Sequence, residues 1–213
     1  MAAVKPRRSY SSPTRDEQAR RTRTRIVEAA DELFCDRGYS NTSLKDVAER
    51  AGVARDTVYA VFGTKAALLP AVIDLRLVPD ESVLNVANTP QGQRVMNEPD
   101  PARQIELFAD FITTLNVALR PVFEMLRGAA STEPDAARQL AAAEANRMKN
   151  MQRYAGWFAE RGQLRMSTKR AGETIFAIVS PDVGRILCDE LGWTQKRHAD
   201  WVADTLKRTL LPD

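Results

Sequence analysis

The chain has 213 residues, 44% of them hydrophobic and 28% charged, with a formal net charge of +3. That composition supports a packed core in one large or two small domains, and no apolar run approaches the 18 or more residues of a membrane span, so no membrane partner is expected. One histidine and two cysteines without metal or redox spacing argue against a metal site, a catalytic triad or a bound cofactor, and no enzyme activity is expected.

Charge is concentrated at the start. The first 25 residues hold eight Lys and Arg against Asp16 and Glu17, a net of +6, which leaves −3 for the rest of the chain. Residues 1–15 lack periodicity and read as a flexible basic arm able to lie along a polyanion. Arg20, Arg21 and Arg23 are the stronger candidates for phosphate contact. From Asp16 to Arg37 the pattern becomes amphipathic, with Ile26, Ala30, Leu33 and Phe34 on one stripe. Thr14 with Glu17 has the form of a capping box, and Gly38 stands where a left-handed stop is expected.

Residues 43–65 carry the most information. Ser43 with Asp46 opens a short helix whose Leu44, Val47 and Ala48 face inward, and Gly52 supplies the positive φ of a sharp reversal. A second short helix follows, with Arg55, Asp56, Thr57 and Tyr59 on a face that has no apolar partner. Two helices so joined are the layout of a helix-turn-helix, whose second helix enters the DNA major groove. Arg55 can offer a bidentate fork to guanine, and Asp56 or Thr57 can meet cytosine or a thymine methyl. Ser43, Lys45 and Lys65 sit at helix starts, where backbone dipoles favour phosphate, and Thr64 is expected to cap a fourth helix from Lys65 to Leu77.

The residues Ile26 to Gly38 (IVEAADELFCDRG), Tyr39 to Ser43 (YSNTS), Val47 to Val53 (VAERAGV) and Thr57 to Leu68 (TVYAVFGTKAAL) resemble the TetR family of bacterial transcriptional repressors. Residues 180–211 are similar, more loosely, to the C-terminal helix pair of that family. Ala54 departs from it, standing at an N-cap where Ser is common, and such a change typically costs about 1 kcal/mol. Ala66 departs too, where an acidic residue often follows the Lys. The resemblance implies an all-α fold with a three-helix helix-turn-helix DNA-binding domain (16–65), a connecting helix (66–77) and a helical effector-binding and dimerisation domain (78–213). It also implies that Arg55, Asp56 and Thr57 face the groove and that the Tyr59 hydroxyl meets a phosphate. The implied partners are double-stranded DNA, a small-molecule effector and a second copy of the chain, in the cytoplasm.

Residues 78–101, with four prolines and three asparagines, read as a loop or broken helix. Helices are expected over 103–127, with Pro121 kinking or splitting the first, then over 136–160, 169–191 and 194–211. The implied homodimer would use the last two, through Ile175, Val179, Val183, Ile186, Leu187, Trp201, Val202 and Thr205. Phe108, Phe111, Leu115, Met125, Met151, Tyr154, Trp157 and Phe176 are candidates for lining a cavity for a hydrophobic or aromatic effector, although a stripe of this kind is more often plain core. His198 reads as a solvated surface residue, and Cys35 and Cys188 as reduced, buried packing residues. The implied function is a repressor released from a pseudo-palindromic operator. The rival reading is a helical binding module with a vestigial DNA-reading head.

Overall fold

A computed structural model describes residues 13–77 and 89–212. The basic arm lies almost wholly outside the described residues. All regular structure among the described residues is helical.

The first helix, α1 (Pro13–Arg37), begins a turn earlier than the pattern suggests, so Thr14 falls inside it. Proline suits a first helical position, where its missing N–H would have no partner anyway. Then come α2 (Leu44–Ala51) and α3 (Arg55–Phe62). The fourth, α4 (Leu68–Leu77), starts three residues later than expected. Pro70 explains the delay. It has no N–H to give the Ala66 carbonyl, so residues 64–69 close in i→i−3 turns instead: Ala67 N–H to Thr64 O, Leu68 to Lys65 and Leu69 to Ala66, at 3.1–3.2 Å.

The stretch read as loop contains a helix, α5 (Pro90–Asn97), with Thr89 as its cap. This eight-residue helix buries only Gly92 and Val95, too few apolar positions to show a period among prolines. Residues 78–88, the rest of that stretch before Thr89, lie outside the described residues. α6 (Pro101–Ala130) runs unbroken through Pro121. The carbonyl that Pro121 leaves without a partner belongs to Val117, which is 44% exposed and open to water. α7 (Pro134–Arg161) matches expectation. The helix expected over 169–191 is instead α8 (Thr168–Ile178), then α9 (Pro181–Arg185) running into a π-helical turn over Ile186–Glu190. Pro181 breaks it, and the Ser180 hydroxyl caps the new start. α10 (Gln195–Leu210) closes the chain, capped by Thr194.

Two apolar clusters organise these helices. The first joins α1–α4, through Phe34, Tyr39, Val47, Val58 and Leu68, to Val122, Met125 and Leu126 of α6. The second gathers α5–α8 and α10 around Phe108, Phe158, Ile175 and Leu206. Because α6 contributes to both, the head and the body share one rigid rod.

His198 is 4% exposed, contrary to the surface reading, and its Nε2 has no hydrogen-bond partner. It fits because Gly184 has no side chain: a Cβ there would stand 3.1 Å from the imidazole. Burial, with Arg120 nearby, lowers its pKa. The folded protein therefore holds a neutral imidazole at pH values where the unfolded chain, with an ordinary pKa of about 6.5, binds a proton. Stability from this site is complete above about pH 6.5 and is lost as pH falls toward the depressed folded value. The melting temperature of the wild-type chain should accordingly drop more between pH 7 and 5 than that of His198→Gln, measured by calorimetry.

Cys35 and Cys188 are free and half-buried rather than buried. Desolvation raises the Cys35 thiol to about 11, which keeps it protonated at neutral pH.

Candidate nucleic-acid interface and internal cavity

The turn between α2 and α3 is fixed from three sides. Ser43 and Asp46 form a reciprocal capping box at the start of α2. The Ser43 hydrogen bonds hold the Asp46 carboxyl below the usual carboxylate range. At the other end Gly52 has φ +64°, and its N–H returns to the Ala48 and Glu49 carbonyls. Arg25 reaches across from α1 and donates to the Ala51 and Gly52 carbonyls. A guanidinium at a helix C-terminus is favoured by the dipole as well as by the hydrogen bonds. By sequence Arg25 is simply one of the eight basic residues of the N-terminal segment. Nothing in the local sequence marks it as the residue that holds the turn.

α3 is pinned by one buried side chain, Val58, which is 0% exposed. Arg55, Asp56 and Tyr59 are exposed and Thr57 is half-buried, so the polar face expected of the second helix does face outward. Arg55 donates to the Tyr59 hydroxyl at 3.1 Å and lies over its ring, so the two side chains present their polar ends together. Ala54 makes no side-chain cap, as its composition requires.

Ser43, Tyr59, Thr64 and Lys65 line one shallow concavity, with Ser40 to Thr42 as its other wall. Residues from α2, α3 and the α3–α4 turn thus converge on a single spot. Lys65 is held there by donating to the Tyr39 carbonyl at 2.9 Å, with its ammonium 4.1 Å from the Tyr39 ring centroid. An ammonium has three donors, and this bond uses one. Lys45 is exposed on α2 and pairs with Glu49 at 3.6 Å. On α1, Arg20 and Arg21 are exposed and both bond Glu17, while Arg23 turns the other way and stacks on Phe62 at 4.5 Å.

Behind this head lies a cavity of about 540 Å³ between α1, α4, α6 and α7. Leu115, Met151 and Tyr154 line it, together with Ile112, Leu119 and Phe123. The other cavity candidates lie elsewhere. Phe108 is sealed in the body core against Tyr154 and Phe158, and Met125 packs into the head cluster. Phe111 and Trp157 pack around the body cluster, and Phe176 stacks beneath Arg147 at 3.3 Å. Helical periodicity identifies an apolar face but not which of its residues border a void.

Of the dimerisation candidates, Ile175, Val179 and Val202 are enclosed within the chain at 0–1% exposure. Val183, Leu187, Trp201 and Thr205 are partly exposed, and Ile186 is open to solvent, as is Leu191.

An exposed polar reading helix on a clamped turn, with a basic concavity beside it, defines a helix-turn-helix protein. Residues 26–72 match the family described as bacterial regulatory proteins, tetR family. The chain is 47% identical over 58 residues to the HTH-type transcriptional regulator TtgR of Pseudomonas putida, covering 27% of this chain and 28% of that one. The aligned segment thus spans little more than a quarter of that relative's length. The fold matches NalD, the secondary repressor of the MexAB-OprM multidrug efflux pump in Pseudomonas aeruginosa, with TM-score 0.65 and 24% identity over 92% of this chain and 99% of that one. It also matches SmeT in its complex with triclosan, with TM-score 0.65 and 20% identity over 90% and 92% of the two chains. Residues 26–72 are thus similar to the DNA-binding head of bacterial tetR-family regulators, and the chain shares the fold of such regulators over most of its length.

Proposed function

We propose that this chain is a dimeric, sequence-specific DNA-binding repressor that leaves a pseudo-palindromic operator when a small apolar molecule occupies the cavity. One observation carries the reading: α3 exposes Arg55, Asp56 and Tyr59 while Val58, with Phe62 partly buried, anchors it, directly beside the concavity of Ser43, Thr64 and Lys65. Arg55, Asp56 and Thr57 read bases. Tyr59, Ser43, Lys45, Thr64 and Lys65 hold phosphates, with Arg20 and Arg21 following along the backbone. In this reading residues 16–65 form the head, 66–77 the connecting helix and 78–213 the body.

One eight-residue helix reads too few base pairs for useful specificity, so two heads on a two-fold axis are needed. Val183, Ile186, Leu187, Trp201 and Thr205 would pack on their symmetry copies, with Leu191 at the edge. The cavity reaches α1 through Arg23, Thr24 and Val27 and α4 through Ile73 and Asp74. A ligand there touches the head itself, and release follows if it favours a head separation other than the operator's. SmeT, which shares this fold, is known in complex with triclosan, and that likeness supports a small-molecule ligand for this chain.

The test is binding to duplexes carrying the inverted repeats nearest the chain's own gene, at physiological salt. Nanomolar binding to one repeat is expected. Arg55→Ala should relax preference at one base pair per half-site, where a good bidentate contact discriminates by about 1–3 kcal/mol. Affinity that is equal for every duplex would instead favour the vestigial-head alternative.

A further inference from the structure

The walls of the cavity differ sharply in chemistry. Its floor is aliphatic, from Ile73, Ile112, Leu115 and Leu119. One side is a polar stripe along α7, where Asn146, Asn150, Arg153 and Tyr154 recur at three- and four-residue steps and all border the same space.

Three guanidiniums line the cavity, Arg147 in an ion pair and Arg23 near an acid without a salt bridge to it. Arg147 pairs with Glu144 at 2.9 Å and donates to the Phe176 carbonyl at 3.0 Å. Arg23 faces the Asp74 carboxylate, the one acid on the wall. Arg153 is exposed at the mouth and has no carboxylate partner among the described residues.

Next to it in sequence, Tyr154 is 5% exposed and packed against Phe108, Phe111 and Trp157. Its hydroxyl forms no hydrogen bond within the described chain, and burial pushes it up to about 12, so it stays a neutral donor. The hydroxyl is not one of the sealed, unpartnered atoms, which among the described residues are Gln104 Oε1 and His198 Nε2, so it opens onto the cavity and can donate to whatever occupies it. The Asn146 and Asn150 amides likewise make no hydrogen bond among the described residues. The α7 wall therefore presents a positive charge, an O–H and two amides, all able to donate.

We infer that the effector is an amphipathic anion, a carboxylate or similar oxyanion on an aliphatic body, with its charged end on Arg153 and Tyr154 and its tail on the floor between α4 and α6. The inference rests on the reading of this cavity as the effector site. Volume agrees, since pockets for small organic ligands occupy roughly 300–1,000 Å³. A charge-assisted bond from a guanidinium beside a desolvated phenol is the pairing that favours an oxyanion over an alcohol of the same shape.

The test is calorimetric titration of the full-length dimer, without DNA, with three probes sharing one tail: octanoate, 1-octanol and octyltrimethylammonium. All are used below their micelle-forming concentrations. Octanoate should bind at least tenfold more tightly than either of the others. Arg153→Gln should remove most of that preference while leaving 1-octanol binding within twofold, and Tyr154→Phe should weaken octanoate severalfold without lowering the melting temperature. Equal binding of octanoate and octanol, or tighter binding of the cation, overturns the charge assignment but leaves the cavity as a ligand site. Binding by none of the three overturns the cavity reading as well. Retention of the octanoate preference in Arg153→Gln overturns the placement of the charged end.

Discussion

Lys65→Ala is expected to weaken binding to every duplex by about a hundredfold, without changing the order of preference among sequences. An ammonium–phosphate contact partly open to water contributes about 1.4 kcal/mol, or tenfold, and a dimer makes two of them. Since each lost phosphate contact lowers the salt slope by about 0.9, the plot of log affinity against log salt should flatten by about two. The structure adds a control that the sequence did not suggest. Lys65 also donates to the Tyr39 carbonyl at 2.9 Å and covers its ring, so truncation could act by loosening the turn between α3 and α4. Lys65→Gln keeps an N–H for that carbonyl and loses only the charge. If it binds DNA as wild type does while Lys65→Ala does not, Lys65 shapes the turn and does not hold a phosphate. Fluorescence anisotropy over 50–300 mM salt measures both quantities.

The same residue shows what a sequence can and cannot reveal. Lys65 was legible as a cation at a conspicuous place, but its neighbours were not, because Tyr39 is 26 positions away and meets it only through folding. The head as a whole was legible for a physical reason. Its two short elements, α2 and α3, are eight residues long and are bounded by local chemistry: the Ser43–Asp46 box, the left-handed Gly52 and the single buried Val58 of α3. The errors fell where a proline changed the register. Pro70 delayed α4, Pro181 divided the helix expected over 169–191, and Pro90 started a helix in a stretch read as loop, whereas Pro121 interrupted nothing. One residue type had four outcomes, set by its place in the local pattern: Pro90 and Pro181 follow capping hydroxyls at a helix start, whereas Pro121 sits inside a long helix.

The body was harder to read because its cavity is bounded by four helices from distant parts of the chain. An apolar stripe on α6 or α7 records that a residue faces inward. It does not record whether a neighbouring helix arrives close enough to fill the space. Phe108 and Leu115 have the same pattern, and only Leu115 borders the void. His198 was misplaced for a similar reason. Its charged neighbours suggested solvent, but Gly184 on another helix makes room for the ring.

Arg76→Ala is expected to lower stability by about 2–3 kcal/mol and, separately, to weaken the response of the head to ligand. Arg76 lies at the end of α4 and joins three helices. Its Nε bonds Asp31 of α1 at 2.6 Å, one terminal nitrogen bonds the Ala118 carbonyl of α6 at 2.9 Å, and the other lies 3.5 Å from the Cys35 sulfur. The ion pair is largely shielded, at 22% and 16% side-chain exposure. Removing one partner leaves Asp31 charged with little water to replace the guanidinium, an effect of about 3–5 kcal/mol when the pair is fully sealed and less here. For a chain of this size that corresponds to a melting temperature lower by about 5–10 °C. The Asp31→Asn, Arg76→Met pair should recover at least half of the loss, because it no longer strands a charge. A double-mutant cycle of melting temperatures measures this coupling, and additive losses would mean that the pair contributes nothing to the fold. The functional consequence follows from the bond to the Ala118 carbonyl of α6. Arg76 bonds both α1 and α6, so if ligand release works through a shift of α4 as proposed above, the double variant, though stable, should keep its affinity for DNA while needing more ligand to release it.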